Sequence, residues 1–157
     1  MKFLKPFLFF LVINFGALGL GVLLMGNGAT SSWYTSLNKA PWTPPNWAFG
    51  TVWTLVMLCF SIYMCWLYQL KSRRTIGILF LIQFILNVLW NYVFFNQHLI
   101  ETGLVIITGL TAVITIFLVH YFKTMGAKSL LIIPYFIWIC IATSLNLYIF
   151  LYNSTLI

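Results

Sequence analysis

Gln83, Asn87 and Asn91 stand four residues apart inside one long apolar run, and they are the polar groups of this chain best placed to do chemistry. At about 100° per residue they share one arc of roughly 100° with Trp90 and Phe94. The opposite face, with Ile85, Val88 and Leu89, is plain aliphatic. Other runs present further faces: Phe49, Trp53, Met57 and Phe60 in one, and Trp138, Ala142, Leu145 and Asn146 in the last. The fourth run adds hydroxyls at Thr108, Thr111 and Thr115. Broad rings with a few placed carboxamides suit a pocket for a flat, apolar, weakly polar ligand. The same groups also serve as hydrogen-bonding glue between membrane helices. Glue suffices for the threonines; for the amides both readings stand.

Ordinary catalysis finds little to work with. Glu101 is the only acid in the chain, and it falls near a membrane boundary. His98 and His120 are expected near opposite faces, too far apart to act together. There is no paired carboxylate, no His/Cys ligand cluster and no nucleophile–base arrangement. Cys59, Cys65 and Cys140 form no CxxC pair and read as small buried hydrophobes. No metal and no cofactor is expected. An ion-coupled pump would need ionisable groups within its spans, and these runs carry none except Glu101 and His120 at the two ends of the fourth. What remains is the aromatic chemistry itself: tryptophan can donate an electron to a photoexcited ring.

The elements that hold these residues are membrane helices. Of 157 residues, 62% are hydrophobic and 6% charged, and mean hydropathy is +1.02. A water-soluble domain carries about 25% charged residues, so lipid must solvate most of these side chains. Apolar runs long enough for helical spans of about 20 residues lie at about 6–25, 46–69, 76–96, 101–122 and 129–152. A barrel would alternate apolar and polar residues, and runs such as 76–82 and 104–107 do not. The fold class expected is all-α, a five-helix transmembrane bundle forming a single domain over 1–157. Lys2 and Lys5 give the N-terminus the look of a signal peptide, but the run 6–25 exceeds the 7–15 residues of an h-region. It is read as a span.

The net charge of +7 would suggest nucleic acid in a soluble protein. Here the basic residues lie between spans and set orientation instead. Lys2, Lys5, Lys71, Arg73, Arg74, Lys123 and Lys128 fall on one side of a five-span chain, with Lys39 alone on the other. The N-terminus is therefore expected in the cytoplasm. The long connection 26–43 carries Trp33, Tyr34, Leu37 and Trp42, too aromatic for a solvated linker, and reads as an interfacial belt or as a lid. Thr43 and Pro44 look like the N-cap and first position of the second span. Pro134 is expected to kink the fifth. Ala17 and Gly21, with Gly16 and Gly19 beside them, form a small-residue face suited to a homodimer or to packing within the monomer.

Several motifs carry a family resemblance. Trp33-Tyr34-x-x-Leu37-x-Lys39 and Trp42-Thr43-Pro44-Pro45-x-Trp47-x-Phe49-Gly50-x-x-Trp53 resemble the first loop and second helix of the tryptophan-rich sensory protein and translocator (peripheral benzodiazepine receptor) family. Gln83-x-x-x-Asn87-x-x-Trp90-x-x-x-Phe94-Phe95 is similar to its third helix, and Pro134-Tyr135-x-x-Trp138-x-x-x-Ala142-Thr143-x-Leu145-Asn146 to its fifth. The resemblance implies a bacterial membrane protein, often dimeric, that binds porphyrins and benzodiazepine or isoquinoline ligands below the first loop. Tyr34 and Pro44 would roof that pocket. Trp53, Asn87, Trp90, Trp138, Ala142 and Leu145 would line it, and pattern adds Trp42, Phe49, Met57, Gln83, Asn91 and Phe94. Trp53 and Trp138 match tryptophans implicated in light-driven breakdown of protoporphyrin IX, an alternative to simple binding; passive porphyrin or lipid transport is another. The sequence departs from the family at Lys39-Ala40-Pro41-Trp42, where proline is shifted by one, and at Ile106, where an acid is common. No basic residue follows Tyr148 in 149–153, so sterol transport is not expected.

Overall fold

The computed structural model describes residues 3–70 and 73–153; Lys2 and Lys71, two of the orienting cations, lie outside them. Among the described residues, five helices are long and apolar enough to cross a membrane. They are α1 (Leu4–Leu24), α3 (Asn46–Leu70), α4 (Arg73–Asn91, continued by a π-helical turn Tyr92–Asn96), α5 (Ile100–Met125) and α6 (Ile133–Tyr152). The short α2 (Ser32–Ser36) lies in the first connection. The helices close into a ring in the order α1, α3, α6, α5, α4 and back to α1.

Both faces of these helices are apolar, so burial from water cannot hold them together; close packing and interhelical hydrogen bonds must. Val12, Ile78, Leu81, Val105 and Val119 face outward to where lipid lies. Inside, α3 carries the tightest layer. Phe60 packs edge-on to Phe117 at 5.7 Å and to Tyr135 at 5.2 Å, and the Tyr63 hydroxyl donates to the Phe117 carbonyl at 2.8 Å. Asn14 Nδ2 donates to Ser61 Oγ at 2.9 Å between α1 and α3, and Thr111 and Thr143 hydroxyls meet at 2.8 Å between α5 and α6. These contacts close the centre of the bundle among α3, α5 and α6.

Two local expectations are corrected. Pro134 does not kink a helix, because residues 126–131 form a 3-10 turn and α6 starts at Ile133. The proline then stands in the first turn, where a missing N–H is harmless. Thr43 is no N-cap and Pro44 no first helical residue: α3 begins at Asn46, and the Thr43 hydroxyl donates back to the Ala40 carbonyl at 2.7 Å. Ala17 and Gly21 are buried within the monomer, while Gly16 and Gly19 face outward.

The π turn after α4 is locked by α5. A Cβ built on Gly103 would stand 3.0 Å from Phe94 Cδ2 and 3.1 Å from Phe94 Cβ. Gly103→Val is therefore expected to destabilise the bundle by about 1–3 kcal/mol through overpacking. A thermal midpoint in detergent equal to wild type would show that this contact yields freely.

Candidate functional site

The first connection folds back over the bundle as a lid. Ser31 caps α2, its hydroxyl accepting from the Tyr34 N–H at 3.1 Å. Trp33 stacks on His98 at 4.1 Å and meets Phe94 edge-on at 5.6 Å. Tyr34 turns inward over Phe95 at 5.2 Å, with the Lys39 ammonium 4.9 Å from its ring centroid. A phenol is neutral at neutral pH, and burial pushes the Tyr34 hydroxyl further above its ordinary pKa, so the roof stays uncharged into alkaline solution. The far end of the lid is latched to the end of α6. Asn38 N–H donates to Asn153 Oδ1 at 2.8 Å, Asn153 Nδ2 donates to the Asn38 carbonyl at 3.1 Å, and Asn38 Nδ2 donates to the Tyr152 carbonyl at 3.1 Å.

Beneath this lid lies a cavity of about 130 Å³. Tyr34 lines its roof, Phe49, Gly50 and Trp53 line it from α3, and Asn87, Trp90, Asn91 and Phe95 from α4 and its π turn. Trp90 is fixed by its Nε1, which donates to Asn146 Oδ1 at 3.2 Å, and by stacking on Phe94 at 5.8 Å. Asn91 Nδ2 donates to the Asn87 carbonyl at 2.9 Å. The Asn87 carboxamide makes no side-chain hydrogen bond among the described residues, so both its donor and its acceptor are open to a ligand.

Six of the sequence candidates thus share one cavity: Tyr34, Phe49, Trp53, Asn87, Trp90 and Asn91. The others stand elsewhere. Phe94 is buried between the lid and α5, and Phe95 takes the wall position. The i→i−5 bond from Gln97 N–H to the Tyr92 carbonyl (3.0 Å) widens this turn, so the residue one step later returns to the cavity face. Trp138, Ala142 and Leu145 are buried on α6 but screened: Trp53 meets Trp138 edge-on at 6.5 Å, and Trp90 reaches across to Asn146. Gln83 lies deeper, its Nε2 donating to the Tyr135 hydroxyl at 2.8 Å, and Met57 is fully enclosed in the core one turn below Trp53. Trp42 is outside, its Nε1 donating to Ser144 Oγ at 3.2 Å, and Pro44 is not among the lining residues.

Sequence reasoning missed the α1 wall, made by Ala17, Leu18, Val22 and Met25. The only signal was the small pair Ala17 and Gly21. Gly21 is needed for close approach, since a Cβ there would stand 2.8 Å from Asn91 Nδ2. Two buried polar atoms lack a partner among the described residues, Gln83 Oε1 and Trp138 Nε1. Trp138 offers a free donor just behind Trp53.

Pockets for drug-sized ligands occupy roughly 300 Å³ or more, so this cavity must widen to take one. Swinging Trp53 or Trp90 would join it to the Trp138, Ala142 and Leu145 face. Lifting the lid would raise its roof.

The TspO/MBR family sequence model matches residues 9–152. The chain is 34% identical over 128 residues to the tryptophan-rich protein TspO of Archaeoglobus fulgidus, covering 80% of this chain and 83% of that protein. It is 30% identical to the tryptophan-rich sensory protein of Cereibacter sphaeroides, over 73% of this chain and 72% of that one. It is 28% identical to the translocator protein of Homo sapiens, over 76% and 74% respectively.

Proposed function

The chain belongs to the TspO/MBR family, and from that premise we propose that this integral membrane protein is a receptor for flat tetrapyrroles of the protoporphyrin IX type. Synthetic benzodiazepine and isoquinoline ligands, also flat and weakly polar, would use the same site. The observation that carries this reading is the cavity under the lid, where Tyr34, Trp53, Trp90 and Phe95 surround the uncommitted carboxamide of Asn87. Rings supply stacking area at low conformational cost, and one amide orients the ligand. The names of the relatives, a sensory protein and a translocator, fit a ligand-binding role. The protein is proposed to lie in a bacterial cell membrane with its N-terminus in the cytoplasm, because its cations gather at one end of the bundle.

Titrating purified protein with protoporphyrin IX should quench tryptophan fluorescence saturably, at one molecule per chain. Asn87→Leu should weaken binding at least tenfold, since the ligand then loses its polar partner in a dry site. Linear, unsaturable quenching would sink the receptor reading.

A second reading is light-driven porphyrin degradation, favoured by the edge contact of Trp53, on the cavity wall, with Trp138 behind it. Trp53 would give an electron to the photoexcited macrocycle, which passes it to dioxygen as superoxide. The hole, shared with Trp138, would return to the macrocycle, and the ring radical cation would combine with superoxide, so that the ring gains one dioxygen and both tryptophans are restored. Equal loss of porphyrin absorbance under light in wild type and in Trp53→Phe/Trp138→Phe would leave only ordinary photobleaching.

A further inference from the structure

A second and larger hollow, about 730 Å³, lies between α1 and α4 in the half of the bundle away from the lid. Phe9, Ile13 and Gly16 wall it on one side, and Gly77, Leu81 and Phe84 on the other. Phe10 and Phe80, in edge contact at 5.1 Å, also line it. Its width comes from two glycines: nothing lies within 4 Å of a Cβ built on Gly16 or Gly77. The hollow opens outward and its lining is apolar, so in a bilayer it faces lipid or another apolar surface.

What distinguishes this groove from any other lipid-facing furrow is the charge at its mouth. The adjacent helices α1 and α4 both start at the basic end, so the stripes lining the groove lead to the same membrane surface. Lys5 stands four residues before Phe9, and Arg74 three before Gly77. Those spacings put each cation on the lining face of its own helix. Both are exposed. The chain's one acidic side chain, Glu101, sits in the first turn of α5 at the opposite end, so neither cation has an acidic partner near it. From Phe9 to Leu20 the groove runs about 16 Å at 1.5 Å per residue, close to one leaflet of a hydrocarbon core about 30 Å thick.

We infer that this groove is a binding site for one anionic phospholipid, an acyl chain lying along Gly16 and Gly77 and the phosphate resting on Lys5 and Arg74. A zwitterionic lipid would fill the groove with less charge complementarity. A second copy of this chain, docked in parallel, would bring its own cations to the same surface with no acid to meet them. The site is separate from the cavity under the lid and does not rest on its function.

The test is native mass spectrometry of the full chain released from nanodiscs of equimolar phosphatidylglycerol and phosphatidylcholine. Wild type should retain one lipid, with phosphatidylglycerol favoured several-fold. Lys5→Gln/Arg74→Gln should keep a lipid but lose the preference. Gly16→Leu/Gly77→Leu, which fills the groove without a backbone clash, should lose the retained lipid while circular dichroism and thermal midpoint stay as in wild type. Equal retention of both lipids by wild type would overturn the inference. So would a lipid complement unchanged in the glycine variant, or a glycine variant that changes only from dimer to monomer, which would make the groove a subunit interface. If the glycine variant does not fold, the charge variant decides: an undiminished preference for phosphatidylglycerol overturns the site.

Discussion

Trp90→Ala is expected to abolish saturable protoporphyrin quenching and to lower the thermal midpoint by about 10 °C. Trp90 lines the cavity, stacks on Phe94 at 5.8 Å and 12°, meets Phe95 edge-on at 5.5 Å, and ties α4 to α6 through Asn146. Truncating a buried tryptophan typically costs about 3–5 kcal/mol, and it would leave the Asn146 carbonyl oxygen without this donor. Trp90→Phe separates the two roles. It keeps a ring on Phe94 and on the cavity wall but loses the N–H to Asn146, a stability cost of about 1–3 kcal/mol; with the wall intact, affinity should fall only a few-fold. Wild-type affinity in the folded alanine variant would remove the cavity from consideration as the binding site.

The five spans were legible because lipid imposes an unbroken apolar run on each. The α4 wall was legible too, since Asn87, Trp90 and Asn91 break an otherwise aliphatic helix at its own period. The α1 wall was not. That helix is apolar all round, so periodicity marks no face, and only Ala17 and Gly21 betray where α4 comes close. The exchange of Phe94 for Phe95 was hidden because a helical wheel assumes 3.6 residues per turn, and the π turn at Tyr92–Asn96 breaks that assumption. The α6 face at Trp138, Ala142 and Leu145 is buried as its period suggests, yet Trp53 and Trp90 stand between it and the cavity. Burial periodicity cannot distinguish a wall from the layer behind it.

That screening makes the resting cavity small and ties binding to motion. At about 130 Å³ it holds less than half the volume of an ordinary ligand pocket. Ligand entry therefore has to move either the tryptophans or the lid, and the two routes leave different kinetic traces. Rotating Trp90 breaks its bond to Asn146. Raising the lid breaks the bonds between Asn38 and the end of α6.

Asn153→Leu is expected to raise both the association and the dissociation rate of protoporphyrin about tenfold, with little change in Kd. The Asn153 carboxamide engages both backbone groups of Asn38, at 2.8 and 3.1 Å, and is almost wholly buried. Each such bond contributes about 0.5–1.5 kcal/mol net, so losing the pair makes opening easier by roughly 1.4 kcal/mol or more, a factor of ten. If the lid recloses over bound ligand, the latch restrains entry and exit equally and Kd holds. Should the bound state keep the lid raised, the latch opposes binding, and Asn153→Leu would tighten Kd while dissociation stayed constant. Trp42→Phe removes only the outer tether to Ser144 and should shift the rates in the same direction by less. Rates unchanged in both variants would place the entrance elsewhere. The cavity rim at Val22 and Gly50, both exposed on α1 and α3, would then be the way in from the bilayer.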